Sequence, residues 1–492
     1  MIRHKAMRHV AFLFTLALLA DMSPVQAQTG NAAALSPEKT AALSRLDALS
    51  SEYTQVAMKI WDWAEVGYQE VRSSGLLQDQ LKKAGFRIEP GVAGIPTAFI
   101  ASFGSGKPII GILGEFDALP GVSQAAVPLR QERPEVNAGH ACGHHLFGAG
   151  SAAAAIAVKE WLQKSGKSGT IRFYGTPAEE GGGGKVYMVR AGLFDDADAV
   201  LHWHPSSENR ASATSSLANI SAKFRFYGQA SHAAAAPERG RSALDAAEAM
   251  NYMVNMMREH VQEDTRIHYV ITRGGEAPNV VPAFAEVYYY ARHPEMKEVK
   301  DVIDRIIKAA EGAALGTGTR MEYELINGVY NLMPNDALSR IMHANLQSVG
   351  GIEYTEEEKR FAEQIQGSFN GKKPLLASAA AIQPYEITEE RNGGSTDVGD
   401  ISWVVPTAGL GAATWVPGTS AHSWQAVAAG GMSIGSKGMM VASKTLALTA
   451  IDLFNDPSIC ETANAELLKR RGEGFKYQSL MGDRQPPLDY RK

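Results

Sequence analysis

The chain has 492 residues, 45% of them hydrophobic, which is more core than one compact domain holds and makes two domains the natural expectation. Its 48 Lys and Arg stand against 53 Asp and Glu, so it has no basic excess of the kind a phosphate backbone attracts, and nucleic acid is not expected as a partner. Two cysteines, Cys142 and Cys460, leave room for one disulfide at most.

Residues 1–27 read as a signal peptide. Arg3, His4, Lys5 and Arg8 precede an apolar run at 10–20, and Val25-Gln26-Ala27 has the small-residue pattern of a cleavage site. The run is too short to cross ~30 Å of hydrocarbon, and no later stretch is long and apolar enough. An exported protein is therefore expected, periplasmic if the source is Gram-negative, with no membrane association in its mature form.

Ser36-Pro37-Glu38 is a helix start, a cap residue followed by proline at the first helical position, and Leu43, Leu46 and Leu49 continue at helical spacing. Apolar runs at 98–103 and 108–113 read as adjacent buried strands, the second delivering Asp117 at its end. An alanine-rich helix at 148–162 follows, then strands at 170–174 and 199–203. Strands alternating with helices predict an α/β fold, a mostly parallel sheet covered on both faces. From 217 to 328 the order becomes strand, helix, strand, strand, helix, strand (219–227, 241–259, 266–272, 284–292, 297–313, 320–326), the ferredoxin-like βαββαβ plait. The expected organisation is a catalytic domain split into 36–216 and 329–460, the plait inserted at 217–328, and a tail at 461–492. A long surface loop is expected at 369–394 and a terminal helix at 435–453. The Lys/Arg-rich end from Lys469 reads as solvated.

The chemistry-bearing residues cluster at predicted strand ends, the edge of an open α/β sheet where ligands bind. They are Asp117, Cys142 with His144, the pair Glu179-Glu180, and His204, with His422 added later in Gly418-Thr419-Ser420-Ala421-His422. Thiolate, imidazole and carboxylate together suit a divalent metal of borderline softness. Cys142, His144, Glu180, His204 and His422 are more ligands than one tetrahedral ion with an open position needs, and two ions sharing the thiolate would use them all. That weighs against a Cys142–Cys460 disulfide. If Glu180 turns to a metal, Glu179 is free to act as general base. His202, two residues before His204 on the same strand face, competes for its role, and His140 and His145 are expected to orient ligands from behind. The glycines at 181–184 followed by Lys185 fail as a phosphate loop, because Glu179 stands where its first glycine belongs and Val186 where its hydroxyl belongs.

These motifs resemble the aminoacylase and carboxypeptidase family of co-catalytic metallopeptidases over nearly the whole mature chain. The most specific are Gly114-Glu115-Phe116-Asp117-Ala118-Leu119-Pro120, Gly139-His140-Ala141-Cys142-Gly143-His144, Thr176-Pro177-Ala178-Glu179-Glu180, Trp203-His204-Pro205, Ser231-His232-Ala233-Ala234, Pro278-Asn279-Val280-Val281-Pro282, Ser395-Thr396-Asp397-Val398-Gly399-Asp400 and His422-Ser423-Trp424-Gln425. The resemblance implies the same five ligands, Glu179 as base, and two divalent ions per subunit, Mn2+ or Zn2+. It implies that the plait is a lid and dimerisation domain, with His232 donating to the oxyanion in the neighbouring subunit's site and Asn279 assisting. Arg292 would bind the substrate carboxylate. The implied activity is hydrolysis of the amide bond of an N-acyl amino acid, a dipeptide or an aminobenzoyl-glutamate-like substrate, in a homodimer or a heteromer with a related subunit. His145 stands where relatives carry Asn or Asp. A non-catalytic periplasmic metal or solute binder on the same fold is the competing expectation.

Overall fold

The computed structural model describes residues 35–388 and 394–492; the predicted signal segment and part of the predicted 369–394 loop lie outside them. The first helix, Pro37–Trp63, begins where its cap places it: the Ser36 hydroxyl accepts from the Lys39 amide at 3.3 Å. Its buried face, Leu46, Leu49, Tyr53, Val56 and Ile60, packs into the larger of two main cores. The alanine-rich helix runs from His144 to Ser165, longer than predicted at its start, and is buried almost all round.

A seven-stranded sheet runs in the order Arg87–Pro90, Phe99–Ser105, Gly169–Gly175, Ile109–Gly114, Ala199–Ser206, Thr407–Ala413, Arg210–Ala211. The strands predicted at 98–103 and 108–113 are not adjacent: Gly169–Gly175 lies between them, antiparallel to the first and parallel to the second. Ile109–Gly114 is buried at every position, as a parallel strand covered on both faces must be. Four central strands are mutually parallel, so their carboxyl ends reach one edge of the sheet. Asp117, Glu179 and Glu180, His204, and the segment leading to His422 all issue from that edge.

A second sheet, antiparallel throughout, has the order Arg266–Arg273, Phe284–His293, Ala218–Tyr227, Arg320–Val329. With the helices Ala243–Met257 and Met296–Thr317 it forms the predicted plait around its own core, which includes Phe224, Phe226, Val254, Tyr289 and Ile306.

The terminal helix spans Ser433–Asn455 and a further helix, Ser458–Arg471, follows it. The segment 472–492, predicted to be solvated, is anchored on the molecule at several points, though many of its residues remain exposed. Leu480 and Met481 are buried, the Tyr477 hydroxyl donates to Asp400 at 2.6 Å, and Arg484 donates to the Leu325 and Ile326 carbonyls at 2.5 and 2.7 Å. Its aromatic anchors are widely spaced among charges and produce no period a sequence reading detects.

Candidate metal centre

Gly143, at φ 75, ends the loop carrying Cys142 and opens the helix at His144; a Cβ there would meet Pro205 at 2.6 Å. His144 Nδ1 lies 2.9 Å from Asp117 Oδ1, leaving the buried Nε2 without a well-aligned hydrogen bond. His204 Nδ1 is held by the Pro205 carbonyl at 2.7 Å, and its Nε2 lies 3.4 Å from Cys142 Sγ. In both cases a fixed Nδ1 aims the other ring nitrogen at the thiol. The turn that presents Glu179 and Glu180 holds three left-handed residues, Ala178 (φ 57), Gly181 (φ 90) and Gly183 (φ 67). A non-glycine in that region costs on the order of 1–3 kcal/mol and persists only where its surroundings hold it. His422 is also left-handed, at φ 60, and its amide donates to the Ala141 carbonyl at 2.9 Å, which brings it beside Cys142. His422 Nε2 lies 3.2 Å from Glu180 Oε1.

Two groups with metal-ligand geometry result, Cys142 with His144 and His204, and Cys142 with Glu180 and His422, the ligand atoms of each within 4.8 Å of one another. The thiol is common to both. Buried polar atoms normally make well-aligned hydrogen bonds; His144 Nε2 and Glu180 Oε1 have instead the ion-pair approaches of Glu115 Oε2 at 3.1 Å and His422 Nε2 at 3.2 Å. A cation is the partner this donor set fits, one sulfur, three imidazoles and a carboxylate. Burial pushes the Cys142 thiol up, so its thiolate requires positive charge alongside. Both cysteines are free.

A third group, Glu115, His144 and Glu179, includes a residue that the sequence reading did not single out. Glu115 Oε2 lies 3.1 Å from His144 Nε2, and its Oε1 lies 2.7 Å from Lys185 Nζ. Lys185, fully buried, bonds Asp397 Oδ1 at 2.7 Å as well. The signal was present in Glu115-Phe116-Asp117, where two carboxylates two residues apart leave the same strand end. Burial, and after it Glu115, Glu180 and Asp397, push Glu179 well above the usual carboxylate range. Burial acts to raise Asp117 too, but the His144 imidazole, the Glu180 amide and the Lys185 ammonium together outweigh it and leave Asp117 below its ordinary value.

The other candidates divide. Among the described residues His202 belongs to no metal-holding group; its ring packs on Gly409, where a Cβ would meet it at 2.3 Å, and burial pushes it down to about 3. His140 and His145 bond the carbonyls of Ile60 and Gly430, each at 3.1 Å, so they brace the loop; the His144 and His204 rings are oriented instead by Asp117 and Pro205. His232 and Asn279 are neighbours on exposed loops of the plait, where the Ala233 amide donates to the Asn279 carbonyl at 3.0 Å. Arg292 lies on the plait strand Phe284–His293, its guanidinium 5.6 Å from the Tyr290 ring centroid and its Nε buried without a partner. Among the described residues, none of these three belongs to the metal-holding groups.

The family model described as peptidase family M20/M25/M40 matches residues 111–425. The chain is 44% identical over 447 residues to a p-aminobenzoyl-glutamate hydrolase subunit of Escherichia coli (strain K12), covering 86% of this chain and 93% of that one. It is 31% identical over 459 residues to the Xaa-Arg dipeptidase of Mus musculus, covering 90% and 95%. Among solved structures, the aminobenzoyl-glutamate utilization protein from Klebsiella pneumoniae superposes with a TM-score of 0.58 at 19% identity, over 83% of this chain and 97% of that one. The Bacillus subtilis YXEP protein, described as a dinuclear metal binding peptidase, superposes at 0.55 and 18% identity, over 83% and 99%. With its matched segment spanning every residue of the two metal-holding groups, the chain belongs to peptidase family M20/M25/M40.

Proposed function

We propose that the protein is a metal-dependent amidohydrolase that cleaves the amide bond of an N-acyl amino acid, a dipeptide or an aminobenzoyl-glutamate-like substrate, next to a free carboxylate. The observation that carries this reading is the pair of metal-holding groups meeting at Cys142, with Glu179 beside them. Likeness to chains named as an Xaa-Arg dipeptidase and as a p-aminobenzoyl-glutamate hydrolase supports the substrate class. Cys142, His144, Glu180, His204 and His422 would hold two divalent ions, Zn2+ by the softness of the donors or Mn2+. When bound, such a pair polarises the amide carbonyl and lowers the pKa of the attacking water toward neutrality.

The remaining work falls to side chains of the protein. Glu179 takes the proton from the water and passes it to the leaving amine nitrogen. Asp117 orients His144 through Nδ1. Arg292 binds the substrate carboxylate through its charged fork. His232, with Asn279 beside it, donates to the developing oxyanion from a neighbouring subunit's plait, and loss of such a donor costs about 100- to 1000-fold in turnover. The neighbour is a second copy or a related subunit; likeness to a chain that is named as one subunit of its hydrolase supports the latter.

The test is a panel of acyl- and aminoacyl-amino acids with protein reconstituted separately with Mn2+ and Zn2+. Glu179→Ala lowers turnover by about 100- to 10,000-fold while elemental analysis finds the metal retained. Full activity in that variant removes the base, and stoichiometric substrate binding without cleavage by the parent removes the enzyme.

A further inference from the structure

We propose that the segment 472–492 is a strap that positions the carboxylate turn, with Tyr490 and Arg491 as its positioning residues; this rests on Glu179 and Glu180 being base and ligand. The Tyr490 hydroxyl and Arg491 Nη2 both donate to the main-chain carbonyl of Glu180, at 3.0 and 2.8 Å. On the other side of the same residue, the Glu180 amide donates to Asp117 Oδ2 at 2.9 Å. Glu180 is thus clamped at both of its peptide groups by side chains remote in sequence.

The turn needs such a clamp. Ala178, Gly181 and Gly183 are all left-handed; the turn's own bonds run from the Gly181 amide to the Glu179 carbonyl and from the Gly182 and Gly183 amides to the Ala178 carbonyl, and its two ends are held by Glu70 on the Ala178 amide at 2.9 Å and by the Tyr68 hydroxyl on the Gly182 carbonyl at 2.8 Å, which leaves the Glu180 carbonyl between them to Tyr490 and Arg491. Release of the Glu180 carbonyl lets the peptide rotate, and Glu179 and Glu180 swing with it.

Tyr490 is seated closely. Its ring packs edge-on against Tyr68 at 5.6 Å, and Gly67 has no side chain because a Cβ would meet the Tyr490 hydroxyl at 2.2 Å. Gln69 donates to the Leu488 carbonyl at 2.8 Å, fixing the approach. The strap is held independently farther back, where Arg190 donates to the Gly482 and Arg484 carbonyls at 2.8 and 2.6 Å, and where Arg484 reaches Glu324 at 2.7 Å. Removing the two donors at its tip therefore leaves the rest of the strap anchored.

The experiment compares full-length Tyr490→Phe/Arg491→Met with parent, Arg491→Lys and Glu179→Gln. Metal affinity is read by titrating metal-stripped protein with Zn2+ and with Mn2+, kcat and KM are read on the preferred amide, and a thermal melt is recorded. The double variant is expected to lose about 10- to 100-fold in affinity at the weaker-binding ion and in kcat, with KM within about threefold and an unchanged melt. Arg491→Lys, which keeps a donor, recovers part of the loss. Parental metal affinity and kcat in the double variant overturn the strap's role, as does a loss matched by an equal collapse of the melt. An active Glu179→Gln overturns instead the reading of the base on which the inference rests.

Discussion

Asp117 holds two candidate ligands at once, one carboxylate oxygen on His144 Nδ1 and the other on the Glu180 amide, at 2.9 Å each. An amide in its place keeps a single acceptor oxygen, so one of the two loses its partner. Asp117→Asn is expected to weaken metal binding by about 10- to 100-fold, read by titration of the metal-stripped protein, and unchanged binding would refute the double role. Lys185 is a second residue-scale lever. It is the cation between the buried carboxylates Glu115 and Asp397, and Lys185→Met strands both. The variant is expected to lose about 3–5 kcal/mol of stability, seen as a lower denaturant midpoint. A midpoint within error of the parent would show that the carboxylates find other partners.

At the scale of elements, the strap and the short helix Val398–Ser402 meet at Asp400, which is fully buried and accepts from the Tyr477 hydroxyl at 2.6 Å and the Tyr330 amide at 3.0 Å. Burial pushes this carboxyl up to about 7. An unfolded chain releases the same proton near pH 3.9, so between about pH 4 and pH 7 the folded state carries a proton the unfolded state lacks, and stability falls as pH rises through that window. Asp400→Asn has no proton to lose there. Its melting temperature, followed across pH 4 to 8, is expected to decline less than the parent's, and parallel profiles would count against the assignment. The strand ends show the converse, elements legible from their sequence: three predicted strands, 108–113, 170–174 and 199–203, lead to Asp117, Glu179-Glu180 and His204 and are parallel, as one common edge requires, whereas the fourth parallel strand, Thr407–Ala413, was not predicted and the one predicted at 98–103 is antiparallel.

Over the whole molecule, two cores are joined by more than the two crossings of the chain. Leu480 packs into the plait's core, and Met481 packs with Val186 and Val329, so the strap contacts both units. His232 and Asn279 stand on exposed plait loops, a placement suited to completing a site in a neighbouring subunit. If sites are shared in a symmetric dimer, mixing inactive Glu179→Ala and His232→Ala subunits is expected to restore about a quarter of parental activity, since half the dimers are mixed and each mixed dimer holds one intact site. No recovery after verified subunit exchange would place His232 outside the partner's reaction.

Local features were written in the sequence by itself: the Ser36 cap, the buried parallel strands, the order of the plait, and candidate ligands concentrated in short motifs. Each depends on residues within a few positions of one another, where periodicity, capping and turn chemistry leave a signature. Tertiary structure alone decided the rest. It placed Gly169–Gly175 between two strands that follow one another in the chain, joined Lys185 to Asp397 across 212 positions, and brought Tyr490 to Glu180 across 310. Contacts at that separation are set by packing of the whole chain, and a basic, aromatic-dotted tail carries no local mark of the carbonyl it will hold.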